Sequence, residues 1–180
     1  MLSGKQPRVR ELSASHEHYL RAIWEVRSTR GYARLTDVAR ALGVAPPTLS
    51  VGLKPLEARG LVAHDDRRFL VLTPDGERVA RQVHHRFAVA RAFLRDVLGL
   101  PEDRALSEAC LLEHDMSPAT AERLLDLLKL LRDDGELREV LERRLRGYER
   151  NCRPPVECST CDLACMVELA PTSPGAGGPR

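Results

Sequence analysis

Residues 35–62 read LTDVARALGVAPPTLSVGLKPLEARGLV, and the punctuation of this stretch decides the fold. Leu35, Val38, Ala39 and Leu42 recur at helical spacing, which predicts a short helix over Leu35–Leu42 with Thr36 as its N-cap. Gly43 follows where helices most often end in glycine. Pro46 and Pro47 suit the first turn of a second helix, where no backbone donor is needed. Leu49, Leu53 and Leu56 give that helix a buried face, and Gly60 stops it. Two helices about a tight turn at Gly43-Val44 form the arrangement whose second helix enters the DNA major groove.

Working outward, Leu61–His64 and Phe69–Thr73 read as two short strands joined by a turn at Asp65–Arg68. The hairpin makes the unit a winged helix, and a winged helix used only for protein contacts is the alternative at this point. Upstream, Ser15–Arg27 is predicted as a helix, with Tyr19, Leu20, Ile23, Trp24 and Val26 as its apolar stripe and Ser13 or Ser15 as its cap. Downstream, a long helix starts after Thr73 with Pro74 in its first turn and runs to Gly99. Helices over Asp103–His114 and Ser117–Leu131 follow, then a break at residues 133–135 and a highly charged helix over 136–151. The final PTSPGAGGPR has too little apolar surface to fold. The expected architecture is mainly α: a winged-helix domain (1–73), a helical domain (74–150), a Cys-rich segment (151–168) and a flexible tail (169–180).

Composition agrees with a globular chain: of 180 residues, 43% are hydrophobic and 30% charged, with aromatics at only 4%, so aliphatic helix packing does most of the burying. Residues 1–70 hold twelve Lys or Arg against seven Asp or Glu, whereas the remainder holds sixteen against nineteen. A basic front and an acidic back fit a nucleic-acid-facing module joined to something else. No apolar run approaches the ~20 residues of a membrane span. The start, MLSGKQPRVRELSAS, lacks the apolar core of a secretory signal. A cytoplasmic, reducing setting is therefore expected, in which clustered thiols mean metal or redox chemistry rather than disulfides. Neither a nucleophile–base pair, a phosphate loop nor a paired-carboxylate signature is present, so an enzyme is not expected.

Cys110, Glu113 and His114 stand at i, i+3 and i+4 and so share one helix face. Thiolate, carboxylate and imidazole together suit a borderline divalent ion such as Fe(II), Zn(II), Co(II) or Ni(II). Further on, NCRPPVECSTCDLACMVE at 151–168 places Cys152, Cys158, Cys161 and Cys165 in the spacing C-x5-C-x2-C-x3-C. Structural zinc sites pair two knuckles across a longer loop. The closely packed run is nearer to those that wrap iron–sulfur clusters. An iron–sulfur cluster is the favoured reading, with zinc and redox-active thiols as alternatives.

The segments HEHYLRAIWEV (16–26), LTDVARALGVAPPTLS (35–50), LKPLEARGLV (53–62), LTPDGERVA (72–80) and EACLLEHDMS (108–117) together resemble the diphtheria-toxin-repressor family of iron- and manganese-dependent regulators. The resemblance covers roughly residues 12–130. It implies a DNA-binding winged helix, a helical dimerisation domain, and a metal site between them that couples metal occupancy to operator binding by a homodimer. By the same resemblance the fourth metal ligand is His18, where family members usually carry methionine or aspartate. The ancillary-site positions are Phe87, Arg91 and Leu106, and Arg21 stands where manganese sensors use a glutamate. None of these can ligate, so one site at most is expected, and the neighbouring His84 and His85 read as solvated helix residues. The groove-facing residues implied are Ala45, Pro46, Pro47, Thr48, Ser50 and Val51, with Lys54, Arg67 and Arg68 on the DNA backbone. Gly52 and Pro55 are expected to loosen or kink the reading helix. The function that follows is a metal- or redox-responsive transcriptional regulator whose four C-terminal cysteines hold the sensing cluster. A single-site Fe(II), Zn(II) or Ni(II) repressor with a structural zinc on those cysteines is one alternative. A winged-helix redox scaffold acting through proteins is the other.

Overall fold

A computed structural model of the chain describes residues 12–147; the four C-terminal cysteines lie outside the described residues. Helix α1 (Ala14–Arg30) is capped by Ser13, whose hydroxyl accepts from the His16 amide, and it ends at Gly31 in the left-handed conformation (φ 79). Helix α2 (Leu35–Leu42) has the predicted bounds, but its N-cap is Arg34, with no side-chain cap. Thr36 is already inside the first turn, because the amides of Asp37 and Val38 bond to the Arg34 carbonyl. Helix α3 (Pro46–Ala58) runs through Gly52 and Pro55 without a break. Gly52 serves packing instead: a Cβ there would lie 2.5 Å from a ring carbon of Tyr19.

Strands β1 (Val62–His64) and β2 (Leu70–Leu72) pair antiparallel, with Val62 opposite Leu72 and His64 opposite Leu70. The carboxylate of Asp65 closes the hairpin by accepting from the amides of Arg67 (2.9 Å) and Phe69 (2.7 Å), and Arg68 takes the left-handed conformation (φ 62). The chain then turns into α4 (Pro74–Ala92), whose N-cap Thr73 accepts from the Gly76 amide. Gly76 is obligatory for close approach, since a Cβ would sit 1.9 Å from the Leu61 carbonyl oxygen. A π-helical turn at Phe93–Val97 prolongs α4, followed by α5 (Glu102–Asp115), α6 (Pro118–Asp133) and α7 (Gly135–Arg146). Among the described residues no helix is long and apolar enough to cross a membrane.

Two hydrophobic cores result. Leu20, Ile23, Val38, Leu49, Leu53, Leu56 and Leu70 build the first, which extends into α4 through Val79, Ala80 and Val83. Phe87, Ala90 and Leu94 continue the same helix into the second, with Ala105 and Ala109 of α5. The packing therefore passes from one core to the other inside α4, between Val83 and Phe87, rather than at its start. Arg86 lies in that interval and is itself buried.

Candidate metal centre and nucleic-acid interface

On α3 the leucines at 49, 53 and 56 face the core, which leaves the other side free. Ala45, Pro46, Pro47, Thr48, Ser50, Val51 and Lys54 are all exposed, as are Arg67 and Arg68 at the tip of the hairpin. A proline-started helix N-terminus, two hydroxyls and three cations thus lie on the solvent side of one unit. Hydroxyls and unpaired amides can donate to phosphates, and Val51 offers only an apolar contact such as a thymine methyl accepts.

The polar interior lies elsewhere, where α1 and α5 meet beside α4. Each of those helices carries a Glu-His dipeptide, Glu17-His18 on α1 and Glu113-His114 on α5. The two cross: His18 Nε2 lies 3.4 Å from Glu113 Oε1, and His114 Nδ1 lies 2.8 Å from Glu17 Oε2. Glu113 is completely buried and Glu17 nearly so. From α4, Arg86 places Nη2 3.2 Å from Glu17 Oε1 and 3.8 Å from Glu113 Oε2, and its Nε–H donates to the Glu113 main-chain carbonyl at 2.9 Å. That carbonyl belongs to the last turn of α5, whose acceptors have no further helical turn to bond.

Two buried carboxylates thus share one guanidinium. Burial pushes the Glu17 carboxyl above its usual range, against the hydrogen bond from His114 and the charge of Arg86. Both carboxylate oxygens of Glu113, and Nε2 of His18, are buried without a hydrogen-bond partner. Leaving a buried charge so unsatisfied is costly. The observation fits a cation at His18 and Glu113 in charge and in donor type, because imidazole nitrogen and carboxylate oxygen both suit first-row divalent ions.

Cys110 and His114 are turned elsewhere in this conformation. Cys110 Sγ accepts from Arg21 Nη2 at 3.2 Å, and the Arg21 guanidinium lies 3.7 Å from the centroid of the Phe87 ring. Arg21 and Phe87, two of the positions where the resemblance implied lost ligands, therefore stack on each other, and an organic cation sits there. His114 is held by Glu17. Among the described residues no three His, Cys, Asp or Glu side chains converge closely enough to hold an ion. His84, expected as a solvated helix residue, is instead half-buried: it meets Glu25 at 3.1 Å and packs on Trp24. The sequence reading missed Glu17 and Arg86, although the repeated Glu-His dipeptide was a signal for the first.

Two family models match the chain in succession. One, described as iron dependent repressor, N-terminal DNA binding domain, covers residues 11–70. The second, iron dependent repressor, metal binding and dimerisation domain, covers residues 73–139. The chain belongs to the iron-dependent repressor family. This repressor is therefore a DNA-binding regulator with a metal-binding and dimerisation domain, not an enzyme. It is 29% identical over 128 residues to the HTH-type transcriptional regulator MntR of Lysinibacillus sphaericus (strain C3-41), covering 71% of this chain and 91% of that protein. The same regulator from Bacillus velezensis is 27% identical over 143 residues, with 79% and 97% covered. Among solved structures, T. acidophilum IdeR superposes with a TM-score of 0.58 at 28% identity, covering 66% of this chain and 55% of that one. A manganese-dependent transcriptional repressor in complex with manganese gives 0.57 at 29% identity, with 63% and 52% covered. The repressor spans about half the length of these solved structures.

Proposed function

We propose that the repressor controls transcription in the cytosol as a homodimer on a pseudo-palindromic duplex operator, in response to Mn(II) or Fe(II) bound where α1 crosses α5. The observation that carries this reading is the unsatisfied pair His18 Nε2 and Glu113 carboxylate, buried 3.4 Å apart, with Glu113 inside the residues matched by the metal-binding model and His18 inside those matched by the DNA-binding model. His18, Glu113, His114 and Cys110 are the proposed ligands. A divalent ion held there would give Glu113 and His18 Nε2 the partner that they lack. The chain does the rest: Glu17 holds His114, Arg21 holds Cys110, and recruiting those two ligands means exchanging these partners. The names of the relatives, manganese regulators among them, support Mn(II) or Fe(II) as the first ions to try. The histidine and cysteine donors also suit Zn(II), Co(II) and Ni(II).

In this reading Ala45, Pro46, Pro47, Thr48, Ser50 and Val51 face the groove, and Lys54, Arg67 and Arg68 neutralise phosphates. Exposed leucines at 111 and 112 on α5 and at 127 and 130 on α6 supply apolar surface for the two-fold partner. The test is binding to a duplex selected from a random library by the wild-type chain, with and without Mn(II) or anaerobic Fe(II). An affinity unchanged by either ion would overturn the metal-responsive reading. Failure to bind any duplex at low salt would favour a scaffold acting through proteins.

A finer reading concerns Cys152, Cys158, Cys161 and Cys165, and its support is their spacing alone. They are proposed as ligands of an iron–sulfur cluster that adds a redox or iron signal. Anaerobic purification followed by iron, sulfide and zinc counts decides it. One tight zinc per chain with no sulfide would replace the cluster with a structural zinc.

A further inference from the structure

Arg86 occupies a place that neither the groove reading nor the ligand set explains. It sits on α4 between Val83, the last α4 residue of the first core, and Phe87, the first of the second. Its guanidinium is buried and reaches two other helices at once. Nη2 meets the Glu17 carboxylate of α1, and Nε–H caps a terminal carbonyl of α5 at Glu113, with the Glu113 carboxylate 3.8 Å from Nη2. Helix α1 packs in the DNA-reading core, through Leu20, Ala22 and Ile23. Helix α5 packs in the other, through Ala105 and Ala109. Three polar contacts join α1 directly to α5, namely Glu17–His114, His18–Glu113 and Arg21–Cys110. Arg86 braces two of the residues in those contacts from below.

We propose that Arg86 is a positioning residue that transmits the state of the α1–α5 crossing to the DNA-reading half. This rests on the metal-responsive reading above. The rigid planar fork of arginine suits such a role, because one edge holds a carboxylate while another donor fixes a backbone carbonyl, so α1 and the end of α5 move as one body. Without the fork, a change at His18 and Glu113 would be absorbed by side-chain rotation at the seam. With it, the change displaces α1 and the reading helix packed on it. Lysine could pair with one carboxylate but could not also hold the carbonyl in a fixed plane.

The full-length chain tests this in three forms: R86K, R86Q and the double variant R86Q/E17Q, which removes the buried charge pair together and so protects the fold. Three quantities are read: Mn(II) affinity, the ratio of selected-duplex affinities with and without Mn(II), and amide hydrogen exchange of the metal-free protein. Allosteric couplings typically span about 5- to 150-fold. At saturating Mn(II), R86Q is expected to lose most of that coupling ratio, by more than any change in its Mn(II) affinity, with the double variant matching it and R86K between R86Q and wild type. In metal-free protein, amides in the first turns of α1 and the last turn of α5 should exchange about tenfold faster, with no change in the leucine core. A coupling ratio that survives in R86Q or in the double variant overturns the proposal. So does a ratio that falls only in step with Mn(II) affinity, because Arg86 would then merely support the ligands. If wild-type duplex affinity ignores Mn(II), the metal-responsive reading fails. The metal-free exchange arm still decides whether Arg86 ties the two cores.

Discussion

The interior of the DNA-reading half and the interior of the α1–α5 crossing are built on opposite terms. In the first, the fully buried large side chains include Leu20, Ile23, Leu49, Leu53, Leu56 and Leu70. In the second, the buried side chains include Glu17, Arg21, Arg86 and Glu113. A leucine core is complete in itself and leaves no buried polar group in want of a partner. A crossing in which both Glu113 carboxylate oxygens and His18 Nε2 are buried without a hydrogen bond is unsatisfied, so its energy depends on what else arrives. Rigidity and responsiveness are thereby assigned to neighbouring volumes that share α1 and α4.

The sharpest way to break this contrast is to damage the apolar side. Leu53→Ala leaves a cavity in a sealed core and should cost about 3 kcal/mol in urea unfolding, with or without metal. On the polar side the sign depends on the ion. Mn(II) at a hundred times its Kd should stabilise the wild-type chain by about 2.7 kcal/mol in calorimetry. Glu113→Gln should abolish that gain while leaving the metal-free protein at least as stable, because a buried carboxylate without hydrogen bonds is removed. A metal-free E113Q protein that is markedly weaker than wild type would show that Arg86 already satisfies the site. The exposed cations come next. Lys54→Ala, Arg67→Ala and Arg68→Ala should each weaken duplex binding evenly across sequences and lower the salt slope by about one. Smallest in stability is Leu111→Lys, which should stay within about 0.5 kcal/mol of wild type in the unfolding of the monomer. Sedimentation should nevertheless show a weakened dimer, and an unchanged dimer would move the two-fold contact off that face.

The sequence is most legible where a residue acts through its own backbone. Gly43 and the Pro46-Pro47 pair marked the helix ends, so α2 and the start of α3 fall where they were expected. Thr36 misled because the N-cap position falls two residues earlier, at Arg34, whose side chain does not cap. Pro55 offers no amide to the Val51 carbonyl, yet the helix continues past it to Ala58. The π turn at Phe93–Val97, where the Leu98 amide bonds to the Phe93 carbonyl, has no marker residue at all. Gly52 and Gly76 look like helix weaknesses until Tyr19 and the Leu61 carbonyl are seen beside them. For the site, the helix spacing of Cys110, Glu113 and His114 correctly put them on one helix, yet spacing within a helix says nothing of partners across it. Arg21 stood out in the sequence only as a lost ligand position and Arg86 carried no signal there; the packing of three helices buries both.

Helix α4 has a further consequence as a matter of phase. One helix presents Val83 to one core and Phe87 to the other, so the two stripes are locked at a fixed angle about a common axis. Each residue inserted between them would rotate one stripe against the other by about 100°, whereas seven residues, close to two full turns, would nearly restore the angle and only lengthen the shaft by about 10 Å. The repressor should therefore tolerate a change of length at this point far better than a change of angle, and the angle is what two reading helices on one face of a duplex require.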